Sequence, residues 1–168
     1  DMEMYFYKGQ KNISYITEQD GIESFISEVT SISSINKDAF AEAVKSGKNI
    51  TPKAFYETVE PAYIIIDDLD DFTTQYQSAL GDLAAVMKTA AESGIGVIAT
   101  LHSSKAKGYD ELNKWFKTSS NGLVVGNMGT TNIYPAVSMR EMPALGDGLF
   151  YTNSAYERLL LPRYVQTE

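Results

Sequence analysis

Two mainly apolar runs, Ala62–Ile66 and Ile95–Leu101, stand out from an otherwise mixed chain. An Ile-rich run bounded by turn residues predicts a strand inside a parallel sheet, with both faces covered. Elsewhere the period is helical. Ile22, Phe25, Ile26, Val29, Ile32 and Ile35 recur at 3.6-residue spacing and predict an amphipathic helix. It opens at Glu18–Asp20, where acids suit the positive end of the helix. Its Ser and Thr content lowers intrinsic propensity, so packing must hold it. Asn36 is a candidate interruption, followed by a second helical piece from an N-cap at Asp38 to Ser46, with a stop at Gly47. Thr51-Pro52 predicts a short helix through Glu57. Between the apolar runs, Tyr76, Leu80, Leu83, Met87, Ala90 and Ala91 share one stripe. They predict a helix over Thr73–Ser93, ended by a C′ glycine at Gly94.

Later in the chain, Tyr109–Thr118 predicts a short amphipathic helix and Gly122–Val125 a third strand. Asn127–Gly148 is polar, glycine-rich and mostly loop. Leu149–Tyr151 and Glu157–Leu161 predict a terminal hairpin around Asn153-Ser154. Ile13–Thr17 is β-prone. Asp1–Gln10 fits strand alternation through Met2, Met4 and Phe6, and equally a helical face through Met2, Tyr5 and Phe6. Its abrupt start suits a fragment. Strand–helix–strand–helix–strand over residues 62–125 implies right-handed parallel crossovers. The expectation is a three-layer α/β fold with a mainly parallel central sheet and a closing hairpin, forming one module over residues 1–168.

Composition narrows the function. The chain has 168 residues, enough for one ordinary domain, and no window is apolar for as long as a membrane span requires. With no cysteine, disulfide and thiol chemistry are excluded, and with His102 as the single histidine a zinc site is not expected. A net charge of −8 argues against broad contact with nucleic acid, which needs a basic surface.

The candidate chemistry lies after the first apolar run, where Asp67, Asp68, Asp70 and Asp71 occupy four of five positions. Open α/β sheets hold ligands at the carboxyl ends of their strands. In phosphate-handling folds an acid there holds Mg²⁺, and the next can orient an attacking water. The plain alternative is a solvated strand end that enters a helix. Asp70 and Asp71 take that role, with Asp71 as a plausible N-cap. For Asp67 and Asp68 both readings stand. Thr100 and His102 end the second run, and a polar side chain there can contact a γ-phosphate or merely bond a loop carbonyl. No Gly-x-x-x-x-Gly-Lys-Ser/Thr occurs, and Gly47-Lys48-Asn49 reads as a helix stop and loop. Gly146-Asp147-Gly148 reads as a turn before the hairpin. Trp115 and Phe116 suit a docking patch or simple core packing.

Taken together, Tyr63–Phe72, the following helix and the stretch Glu92–Ser103 resemble the FtsK/SpoIIIE branch of P-loop ATPases. The ending Leu145–Asn153 with Leu159–Pro162 resembles that family's glycine-rich turn and hairpin. Asn12–Thr17 and Gly94–Ser104 look, more narrowly, like the C-terminal ATPase-like module of EssC-type coupling proteins of type VIIb secretion. The resemblance implies a RecA-like P-loop fold, with ATP and Mg²⁺ as cofactors, held weakly or not at all. It also implies secreted WXG-type and LXG-type proteins and other ATPase modules as partners, an oligomeric machine, and a place on the cytoplasmic face of the membrane. Asp67 then stands for the metal-holding acid and Asp68 for a shortened catalytic glutamate. Thr100 and His102 stand where the sensor belongs, with Leu101-His102 in place of a glutamine. These departures imply a degenerate module. An active protein or DNA motor whose phosphate loop lies outside the chain is the alternative, and enzyme activity is left open.

Overall fold

The computed structural model describes residues 7–17, 21–102, 109–119, 121–125, 146–152 and 155–161. The chain forms two compact units, Asp1–Thr100 and Leu101–Glu168, each described on its own.

The first unit begins with a turn near residues 7–12. Ile13–Thr17 forms no strand. A β-prone run needs a neighbouring edge, and here Ser14 Oγ bonds the Glu28 carboxylate while Thr17 C=O accepts from Gln75 Nε2. The Glu18–Asp20 start and residues 1–6 lie outside the described residues. One continuous helix, α1 (Gly21–Lys45), replaces the two expected pieces. Asn36 does not break it, because its Nδ2 donates to the Ser93 carbonyl at 2.9 Å. Asp38 is therefore a mid-helix residue and not a cap. Gly47 does end this segment, at φ 87°. The short helix α2 (Pro52–Tyr56) forms as expected, with Thr51 as its N-cap.

Strand β1 (Tyr63–Ile66) leads into α3 (Leu69–Gln75), a 3-10 turn (Gln77–Ala79) and α4 (Leu80–Glu92). The single helix expected over Thr73–Ser93 is thus broken at Tyr76, whose φ of −107° leaves the helical range. Its ring instead enters a core with Ile22 and Leu83, walled by Phe25, Ile26, Phe72 and Ala79. Leu83, Met87 and Ala90 of the predicted stripe are fully buried, each large apolar side chain contributing about 1.5–3 kcal/mol. Gly94 ends the segment at φ 84°. Strand β2 (Gly96–Ala99) pairs parallel with β1, Tyr63 opposite Gly96 and Ile66 opposite Ala99.

The expectation of strands buried on both faces fails. Ile64 and Ile66 are buried, whereas Tyr63, Ile65 and Ile98 are half exposed or more. Each apolar run is also shorter as a strand than as a sequence pattern, because Ala62, Ile95, Thr100 and Leu101 fall outside the ladder.

The second unit holds α5 (Glu111–Phe116) and three strands, β3 (Asn121–Val125), β4 (Asp147–Thr152) and β5 (Ala155–Leu160). Asp110 caps α5 by accepting from the Asn113 amide at 2.8 Å. Trp115 and Phe116 are both half-buried and meet edge to face at 4.8 Å. The third strand does not extend the parallel sheet. It pairs antiparallel with β4, which pairs antiparallel with β5. Leu149 and Tyr151 form the core of this sheet against Val124. Asp147 and Gly148 belong to β4 rather than to a turn, and Arg158 Nε donates to Asp147 Oδ2 at 2.8 Å. The hairpin is present, with its tip at 153–154 outside the described residues. Most of the expected loop, 126–145, also lies outside them. The architecture is α/β with a two-stranded parallel sheet and a three-stranded antiparallel one.

Candidate functional site

The carboxyl ends of β1 and β2 bring Asp67, Asp68 and Thr100 together. Parallel pairing in register does this, because Ile66 and Ala99 are partners and each next residue leaves the ladder beside the other. The Thr100 hydroxyl donates to Asp67 Oδ1 at 2.8 Å and accepts from the Asp68 amide at 3.0 Å. The main chain adds two bonds, Thr100 N–H to the Ile66 carbonyl at 2.9 Å and Leu69 N–H to the Thr100 carbonyl at 2.8 Å. One threonine therefore clasps both strand ends.

Asp68 does work that the sequence pattern assigned to Asp71. Its backbone is left-handed, φ 51°, a conformation that Asp tolerates better than most residues. Its Oδ1 accepts from the amides of Asp70 and Asp71 at 3.2 and 3.3 Å, which makes Asp68 the N-cap of α3. Asp70 and Asp71 sit in the first turn, where their charge opposes the helix dipole. The signal was present in the sequence: an acid at the cap with acids in the following turn marks a helix start. His102 is exposed and lies in the other compact unit.

Asp67 is exposed, and its carboxylate can take one position on a hydrated Mg²⁺. Among the described residues no group of three or more Asp, Glu or His is placed to hold a metal ion. No phosphate-cradling loop occurs in the sequence. The residues present thus fit one ligand of a metal–nucleotide site and do not fit the whole group.

Two hollows among the described residues lie away from these acids, at the opposite, amino-terminal end of the strands. One of about 380 Å³ is lined by Pro52, Lys53, Tyr56, Glu57, Glu92 and Gly94. The other, of about 290 Å³, reaches Val59, Pro61, Tyr63 and Gly96. The sequence reading gave no role to this end. The signal it missed was two glycines, each next to a tyrosine ring. A Cβ on Gly94 would stand 2.5 Å from Tyr56 Cβ, and one on Gly96 2.6 Å from Tyr63 Cδ1.

A comparison with protein-family models finds no match. Among curated proteins, the ESX secretion system protein YukB of Bacillus subtilis (strain 168) is 25% identical over 166 residues, covering 96% of this chain and 11% of that protein. The chain therefore spans about a tenth of the length of that relative. Among solved structures, EssC (ATPases 2 and 3) from Geobacillus thermodenitrificans superposes with a TM-score of 0.77 at 16% identity, over 95% of this chain and 29% of that one. The cytoplasmic domain of EssC superposes with a TM-score of 0.80 at 17% identity, over 97% of this chain and 32% of that one. No helix among the described residues is long and apolar enough to cross a membrane. This chain is thus similar in sequence to YukB and shares the fold of the EssC ATPase region.

Proposed function

We propose that the chain is an ATPase-like module of a type VII secretion coupling protein, with a RecA-like P-loop fold of the FtsK/SpoIIIE kind and a degenerate nucleotide site. It recognises or gates exported proteins, WXG-type and LXG-type among them, and regulates active ATPase modules of the same polypeptide. It works on the cytoplasmic face of a membrane-anchored parent, within an oligomeric machine, without nucleic acid and without touching the membrane itself. ATP and Mg²⁺ bind weakly or not at all. Asp67 is the vestigial metal-holding acid, Asp68 the degenerate catalytic acid, and Thr100 with His102 the altered sensor.

The observation that carries this reading is the employment of Asp68. Its carboxylate oxygen is engaged by two backbone amides at the start of α3, and its amide is held by Thr100. A water-orienting acid needs a carboxylate oxygen within hydrogen-bond reach of the water, not one committed to the amides of the helix it opens. The test is a Mg·ATP titration and turnover assay on the full-length parent and on its Asp68→Ala variant. The proposal expects the same turnover in both. Turnover that Asp68→Ala abolishes refutes it and establishes the rival reading, an active motor. Asp67 at the end of a parallel strand, bonded to Thr100 on the neighbouring strand, is what favours that rival.

A further inference from the structure

Residues 49–61 cross from the end of α1 to the start of β1 with little to fasten them. None of them is buried, and Ile50, Phe55, Tyr56 and Val59 are half-buried. Among the described residues, every hydrogen bond of this segment closes within residues 51–59. The amides of Phe55, Glu57, Thr58 and Val59 donate to the carbonyls of Thr51, Lys53, Phe55 and Tyr56 in turn, and the Thr51 and Thr58 hydroxyls bond inside the segment as well. Rings make the tie to the rest of the unit. Phe40 on α1 meets Phe55 at 5.4 Å and Tyr56 at 5.9 Å, centroid to centroid, and Tyr56 seats on Gly94. On either side of that seat the packing opens. A hollow of about 380 Å³ lies between Pro52 and Lys53 and the α4 end at Ala91 and Glu92, and one of about 290 Å³ lies between Val59 and Gly96. Tyr56 and Glu57 wall both.

We propose that residues 49–61 form a strap that opens as one unit, pivoting at Gly47 and Pro61, while α1, α4 and the β1–β2 pair stay folded. A segment with no buried residue, self-contained hydrogen bonds and hollows beside it belongs to the low end of local stability. Opening breaks no hydrogen bond between the strap and the rest of the chain, only the ring contacts. The pivots suit the motion. Gly47 stands at φ 87° with open space where a side chain would be, so its backbone can turn without collision, and Pro61 is exposed. Shut, the Tyr56 ring divides the two hollows. Open, it leaves a single recess floored by Gly94 and Gly96, which have no side chain to fill it, and frees the Phe40 ring. The strap is thus a gate over the amino-terminal end of β1 and β2, at the opposite end from Asp67 and Asp68. It rests on neither nucleotide chemistry nor the export reading.

Hydrogen exchange of the full-length parent, localised by mass spectrometry, tests this. The amides of Phe55, Glu57, Thr58 and Val59 are expected to exchange about a hundredfold faster or more than those of residues 83–90 in α4. Low urea should accelerate exchange in α4 and leave the strap unmoved, because opening a short segment exposes little surface. Tyr56→Ala removes the ring seated on Gly94 and should speed exchange about tenfold or more at all four amides alike, with residues 83–90 unchanged. Tyr56→Phe keeps the ring and should match the parent. Strap protection equal to that of α4, or a shared dependence on urea, would overturn the proposal, and neither result needs a variant. So would the absence of any protection at the four amides, which marks a segment that never shuts. In Tyr56→Ala, loosening confined to Glu57, Thr58 and Val59 marks fraying rather than one unit. Unchanged exchange at all four means the ring does not hold the strap, and either outcome refutes the gate.

Discussion

Placing a glutamate at position 68 separates the structural and the catalytic reading of the same residue. Asp68 accepts from two amides at the start of α3 while its backbone stays at φ 51° and ψ 84°. Glutamate has one more methylene, which carries the carboxylate past the amides of residues 70 and 71. Loss of an N-cap costs about 1 kcal/mol. A left-handed backbone costs roughly another 1 kcal/mol in a residue without the local hydrogen bond of Asp or Asn. Both bonds are long and exposed, so the expected loss for Asp68→Glu is about 1–2 kcal/mol. Asp68→Asn keeps the cap and the backbone tolerance and should stay within about 0.5 kcal/mol of the parent. Urea unfolding followed by far-ultraviolet circular dichroism reads this directly. With a slope of about 2 kcal/mol per molar, the midpoint should fall by about 0.5–1 M at unchanged slope. A variant as stable as the parent would refute the capping argument. It would free Asp68 for the rival reading, in which its carboxylate takes part in chemistry.

Four further substitutions test other joints of the same unit. Thr100→Val removes the hydroxyl that joins Asp67 to the Asp68 amide and should cost about 1–2 kcal/mol in the same assay; no change would mean the clasp is incidental. Gly94→Ala meets both a left-handed backbone and the Tyr56 side chain, and should cost about 2 kcal/mol or more. Gly47→Ala, at a similar φ but in open space, should lose only about 1 kcal/mol, and equal losses would show that the Tyr56 contact does not matter. Ser33 carries a buried hydroxyl without a hydrogen-bond partner among the described residues, so Ser33→Ala should be neutral or stabilising by up to about 1 kcal/mol. A clear loss of thermal stability in Ser33→Ala would mean the hydroxyl is satisfied in solution.

What the sequence made legible was whatever depends on neighbours close in the chain. The burial of Leu83, Met87 and Ala90 follows from period, and Gly47 and Gly94 end their helices because a left-handed residue belongs there. The errors came where a distant partner decides. Asn36 looks like an interruption until the Ser93 carbonyl, 57 residues away, satisfies its amide. Gly122–Val125 looks like the next parallel strand until Leu149 and Tyr151 offer an antiparallel one. Burial on both faces of β1 cannot be read from an apolar run alone, because Ile65 is as apolar as Ile64 and Ile66.

The site shows the same division more sharply. Residue types at 67, 68 and 100 were enough to place all three at one sheet end, because parallel strands in register admit no other arrangement. Their roles were not settled by type. A carboxylate after a strand serves equally as a metal ligand, a base or a cap, and only the direction of its oxygens distinguishes them. In Asp68 one of those oxygens, Oδ1, accepts from the α3 amides, on a residue whose backbone is left-handed. A water-orienting carboxylate at position 68 would therefore need a different backbone as well as a longer side chain.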